Sequence, residues 1–127
     1  MRAAKTHKIA AQSRSQILMG VDLVDRVKFK AVFLRHGRFK HDVFTDPKRA
    51  SALGRREPWK HFATCFAAKE ACLKALGIGF LGLGIDHALR EVAVVSEVCA
   101  AVHLLTYGWV GRWAAGRGVR GWSVSVS

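Results

Sequence analysis

The apolar pattern is densest over residues 62–77, FATCFAAKEACLKALG. Phe62, Cys65, Phe66, Cys72, Leu73 and Leu76 recur there at three- and four-residue spacing, and no proline or interior glycine interrupts them. The spacing predicts a helix of about four turns with a core-facing stripe, stopped by Gly77. The other faces carry Ala63, Ala67, Ala68, Ala71 and Ala75, so Lys69, Glu70 and Lys74 are its only charges. A helix apolar nearly all round is buried in a core or against a partner subunit. Charges inside it are costly unless paired or bound to an ion. Two readings fit Glu70 and Lys74: an ion pair one turn apart, worth a few tenths of a kcal/mol, or part of a site.

Around this helix the pattern is shorter-ranged. Residues 17–24, ILMGVDLV, form an apolar run with β-branched members and predict a buried strand. Asp22 is its one charge, read either as the N-cap of a following helix or as a carboxylate presented at a strand end. Residues 25–41 predict a basic amphipathic helix, with Val27, Ala31, Phe33 and Leu34 set among Arg26, Lys28, Lys30, Arg35 and Arg38, and with Gly37 ending it. Residues 43–46 look like a strand end, Pro47 like a helix start, and 48–60 like helix and basic loop broken at Gly54 and Pro58. Residues 85–96 read as a turn and a strand carried by Val92, Val94 and Val95, and 98–106 as a second strand. Residues 107–118 place Trp109, Trp113 and Ala114 at helical spacing, and 122–127, WSVSVS, alternates as a strand. The elements imply a single α+β domain, an antiparallel sheet packed on one long helix.

Composition narrows the partners. The chain has 127 residues, half of them apolar, enough for one core. Its net charge of +12 calls for an anionic partner: nucleic acid, a membrane surface, a phosphorylated ligand or an acidic protein. Cys65, Cys72 and Cys99 are odd in number with no CxxC pair, which predicts reduced core thiols in a cytoplasmic protein. The six histidines show no zinc-site spacing. No run suits a membrane span, and the basic stretch 1–16 lacks the apolar region of a secretory signal; it is expected to be a flexible extension. Gly77, Gly79 and Gly82 satisfy GxGxxG, but they follow a helix instead of a strand, so the dinucleotide-binding reading is rejected. A loop whose amides approach a phosphate stays open.

Gly20-Val21-Asp22-Leu23-Val24-Asp25 resembles the G-[IV]-D-[IL]-V-[ED] signature of the holo-acyl-carrier-protein synthases, the short trimeric class of 4′-phosphopantetheinyl transferases. Phe66-Ala67-Ala68-Lys69-Glu70-Ala71 with Lys74-Ala75-Leu76-Gly77 resembles that family's second signature, F-[AS]-x-K-E-A-x-x-K-A-[LF]-G. Val43-Phe44-Thr45, Gly84-Ile85 before an E-V-x-V strand, and the terminal WSVSVS strand are similar to the family in the same order.

The resemblance implies transfer of 4′-phosphopantetheine from coenzyme A to a serine of apo-acyl carrier protein, leaving adenosine 3′,5′-bisphosphate. It implies Mg²⁺ held by Asp22 and Glu70, and a phosphate-contacting Lys74 that stabilises the leaving group. Glu70 or a metal-bound water would take the serine proton. Gly77 and Ser123 fall at nucleotide-side positions of the family. Lys28, Arg26 and Arg35, with Lys30 beside them, fall on the helix that docks the acidic carrier, and the family's active sites lie between subunits of a homotrimer. The chain departs from the pattern at Cys65, where relatives carry Arg, at Cys99-Ala100-Ala101, where they carry G-K-P, and at Ser123, where they carry a nucleotide-contacting His. It is also expected to stop before the family's last strand. These departures bear on nucleotide affinity and edge-strand stability, not on the metal pair. Two other readings remain: an inactive family member, and a non-catalytic basic module that binds nucleic acid through its four tryptophans.

Overall fold

Pro58 opens the central helix, because a proline at the first helical position gives up only an amide that has no partner there. The structure, a computed structural model, describes residues 16–37, 56–78, 85–96 and 102–126. Its elements run α1 (Arg26–Arg35), α2 (Pro58–Ala75), α3 (Ile85–Arg90), β1 (Val92–Ser96), β2 (Val102–Thr106) and α4 (Gly108–Gly116). Residues 1–15 of the extension expected over 1–16, the 43–47 step, residues 48–55 of the expected helix and basic loop, the glycine-rich loop from Gly79 to Gly84, and Cys99 with its turn lie outside the described residues.

α2 starts one turn earlier than its stripe suggests and is the hub of the core. Phe62, Cys65, Cys72, Leu73 and Leu76 are all buried, while Phe66 is half-buried. Its end is a complete Schellman motif: Gly77 takes φ +70°, Gly77 N–H donates to Lys74 O, and Ile78 N–H donates to Leu73 O. The Leu76 carbonyl accepts from Trp113 Nε1 at 3.0 Å and from Arg117 Nη1, so α2 closes against α4 and the residues after it.

α1 joins α2 through an aromatic ladder, with Phe33 on Phe62 at 5.0 Å and Phe29 on Phe66 at 5.6 Å between ring centroids. Burying each such ring contributes about 1.5–3 kcal/mol. The apolar face of α1 is therefore Phe29 and Phe33, four residues apart. Val27 and Leu34, expected on it, are exposed, because they lie on the side of the helix turned from α2. The helix ends at Arg35, with His36 as its C-cap, and residues 38–41 lie outside the described residues.

β1 and β2 pair antiparallel, Val94 opposite Leu104, and both face the core beside Val92. Residues 85–90, read as a turn, form the short helix α3. The two outer strands read at 17–24 and 122–127 are not in a ladder. Residues 17–24 are not the buried run expected: Gly20, Asp22 and Val24 are half-buried between exposed Met19, Val21 and Leu23, because only one side of the segment meets α2, whereas the alternation read at 122–127 holds through 126, with Trp122 and Val124 packed against the core. What they lack among the described residues is a strand to pair with, since 17–24 lies against a helix. No helix among the described residues is long and apolar enough to cross a membrane.

Cys65 and Cys72 are buried, and burial pushes the Cys72 thiol up to about 12.

α4 is capped from outside. Tyr107 at its N-cap makes no side-chain cap, and Glu91 Oε2 accepts from Val110 N–H at 2.8 Å instead.

Candidate active site

Gly20 lies against the backbone of α2 at Ala71 and Ala75, where a Cβ would overlap Ala71 O and come within 2.7 Å of Ala75 N. That close approach delivers Asp22 to α2. Lys74 Nζ donates to Asp22 Oδ1 at 2.7 Å and to Val21 O at 3.3 Å. The predicted Glu70–Lys74 pair is accordingly not formed. The Lys74 ammonium turns to the two oxygens of the neighbouring segment, and among the described residues its ion pair is with Asp22. Nor is Asp22 a helix cap: Asp25 fills that role, accepting from Lys28 N–H at 3.0 Å.

Glu70 sits one turn before Lys74 and is 7% exposed. Burial raises its carboxyl above the ordinary range, Asp22's negative charge raises it further, and Lys74 partly offsets both. Asp22 and Glu70 thus act on one another as like charges. In return, the Asp22 hydrogen bond raises the Lys74 ammonium. Two mutually repelling carboxylates, one of them buried, are a donor set suited to a hard divalent cation that fills its shell with water and phosphate oxygens. Among the described residues no three His, Cys, Asp or Glu side chains converge.

The structure brings together Asp22, Glu70 and Lys74, with Gly77 N–H donating to Lys74 O at 3.0 Å. Gly77 ends α2. Ser123 is exposed and lines a cleft of about 990 Å³ with Gly20, Ala71, Ala75, Arg117 and Arg120, a cleft whose walls include none of the three. Arg26, Lys28 and Arg35 are exposed on α1. Lys69, unlike Glu70 and Lys74, is 3% exposed and donates to Leu89 O at 3.0 Å, tying α2 to the last turn of α3. Sequence reasoning missed this tie and the Val21 carbonyl. Lys69 has no local signal, since its partner lies on another element, and Val21 contributes only backbone.

Comparison with known proteins shows the family. The model of the 4′-phosphopantetheinyl transferase superfamily matches residues 18–117. A holo-[acyl-carrier-protein] synthase of Herpetosiphon aurantiacus is 35% identical over 115 residues, covering 87% of this chain and 88% of the relative. One of Hamiltonella defensa is 32% identical over 110 residues, covering 86% and 85%. Among solved structures, holo-[acyl-carrier-protein] synthase from Neisseria meningitidis shares the fold, with a TM-score of 0.72 at 22% identity over 86% of each chain. The ACPS–CoA complex of Chronobacterium ammoniagenes has a TM-score of 0.67 at 28% identity over 80% of this chain and 79% of that one. The chain belongs to the 4′-phosphopantetheinyl transferase superfamily, among its holo-[acyl-carrier-protein] synthases.

Proposed function

We propose that this chain transfers 4′-phosphopantetheine from coenzyme A to the serine hydroxyl of an apo-acyl carrier protein, with Mg²⁺, releasing adenosine 3′,5′-bisphosphate. The observation that carries the reading is the meeting of Asp22 and Lys74 across 52 positions of sequence, with buried Glu70 one turn away. The two carboxylates come from the two signatures, and a structural ion pair would need only one of them.

Asp22 and Glu70 would hold the Mg²⁺ ion. When bound, it polarises the pyrophosphate and neutralises charge that grows in the transition state. The chain's own groups do the rest. Lys74 exchanges Asp22 for a phosphate oxygen and steadies the leaving group. Glu70 takes the proton of the serine hydroxyl as its oxygen bonds to the pantetheine-bearing phosphorus. The bond from that phosphorus to the bridging oxygen breaks, and adenosine 3′,5′-bisphosphate departs with the electron pair. Such a transfer depends mainly on positioning and charge, which a lysine and two carboxylates supply.

The exposed row Ile17, Met19, Val21 and Leu23 is the edge we assign to a neighbouring copy in a homotrimer, since a contiguous apolar row of this kind favours an interface. The basic side chains of α1, among them Lys28, Arg26 and Arg35, would receive the acidic carrier.

Intact-mass analysis of an apo-acyl carrier protein after incubation with this protein, coenzyme A and Mg²⁺ tests the reading. A gain of one phosphopantetheine, abolished by EDTA, is expected. No gain across several carriers would overturn it.

A further inference from the structure

Trp59, second residue of α2, is ringed by cations from both helices. Arg26 Cζ lies 5.6 Å, Lys30 Nζ 5.3 Å and Lys60 Nζ 5.8 Å from the centroid of its ring. The indole is half-buried and packs against the core, so its position is fixed while the cations around it stay exposed. Arg26 and Lys30 lie one turn apart on α1, on a single face. Like charges gathered this closely repel, and the negative π face of an indole answers only part of that repulsion. Among the described residues the carboxylate in reach is Glu57, whose Oε2 pairs with Lys60 Nζ at 2.6 Å. The hydrogen bond from Lys60 holds the Glu57 carboxyl below its ordinary range, and the charges of Lys30 and Arg26 act in the same direction. Among the described residues one carboxylate therefore stands against three cations, and the array retains positive charge.

We infer that Trp59 is a positioning residue for the carrier protein: it holds Arg26, Lys30 and Lys60 as one array across α1 and α2 that receives acidic side chains of the docking partner, and Glu57 is the internal carboxylate the partner displaces. The inference rests on the transfer reading for the identity of the partner. It extends the docking surface from α1 to the start of α2. It also assigns the two residues opposite effects, since Trp59 favours docking and Glu57 opposes it.

Isothermal titration of apo-acyl carrier protein into wild type, Trp59→Leu, Trp59→Phe and Glu57→Gln tests this, with coenzyme A affinity and melting temperature measured on the same samples. Trp59→Leu is expected to weaken carrier binding about fivefold, with Trp59→Phe recovering most of it because a π face remains. Glu57→Gln, at an exposed site that leaves folding intact, is expected to tighten carrier binding about threefold. Coenzyme A affinity should not move in any variant. Equal loss of carrier and coenzyme A binding in Trp59→Leu, a Phe variant as weak as the Leu variant, or weaker carrier binding in Glu57→Gln would each overturn the proposal. So would short duplex DNA that binds wild type with the same dependence on Trp59 and Glu57. Carrier binding by wild type without phosphopantetheine transfer would refute the transfer reading and leave the docking array standing, whereas no carrier binding by wild type would overturn the array itself.

Discussion

Lys74 Nζ donates to Asp22 Oδ1 at 2.7 Å, and through this bond the extended segment 16–25 and the central helix share one charged centre. Asp22 is the more buried partner, its side chain 11% exposed against 46% for Lys74. The ammonium end of the pair is thus the one open to an incoming phosphate.

Asp22→Ala and Lys74→Ala should each lower transfer by at least about a hundredfold, the usual cost of removing a group that stabilises transition-state charge. Both chains should stay folded, because the ammonium end of the pair is open to water, which limits what the pair adds to stability. Steady-state formation of holo-carrier, with circular dichroism of each variant, checks both halves.

Glu70→Gln should separate stability from activity. A carboxyl raised in the folded state binds its proton more tightly there than in the unfolded chain. Its contribution is therefore favourable below the unfolded value and is lost as pH rises through the raised one. At neutral pH without metal the variant should melt higher than wild type, and the gap should close in acid, while transfer is abolished. Mg²⁺ should raise the melting temperature of wild type and leave the variant unmoved. Thermal melts at acidic and neutral pH, with and without Mg²⁺, read all of this.

Gly20→Ala should cost about 1–3 kcal/mol, because the new methyl meets backbone atoms of α2 that have no room to retreat. Transfer should fall further than stability does, since the displaced segment carries Asp22 and the Val21 carbonyl away from Lys74. Denaturant melts beside turnover of the folded fraction give the comparison.

Glu91→Ala should cost about 1–2 kcal/mol by removing the cap of α4. Transfer per folded molecule should stay near wild type, because Glu91 touches none of the three site residues. Urea unfolding followed by tryptophan fluorescence measures the loss.

Much of this site was legible in the sequence. Asp22, Glu70 and Lys74 stood out as lone charges in apolar runs, and the run from Phe62 to Leu76 read correctly as the core helix. What misled was local ambiguity. Asp22 and Asp25 are both plausible caps, and only the hydrogen bond to Lys28 N–H decides for Asp25. Glu70 and Lys74 have the spacing of an ion pair, and a sequence pattern carries no record of the competing oxygens that segment 16–25 brings to Lys74. The alternation of 122–127 was legible, yet alternation reports which side chains face inward, not whether the backbone finds a strand to pair with, and the apolar run 17–24 was misread as buried because an apolar run does not tell which of its faces is covered. The face of α1 was misjudged because Phe29 and Phe33 outweigh a wider scatter of smaller apolar residues. Lys69, Trp59 and Glu91 act across elements, a relation periodicity does not express.

The last turn of a helix ordinarily frays, its amides exchanging with solvent long before the rest of the protein opens. α2 is denied that freedom, because the Leu76 carbonyl is held by Trp113 and Arg117 from beyond the sheet. Lys74, two residues upstream, therefore rides on a turn that cannot loosen by itself: its side chain can turn from one oxygen to another, but for its backbone to shift, the grip of α4 and Arg117 on that turn must first be released. The precision of a lysine in the middle of the chain is in this way set by residues near its end.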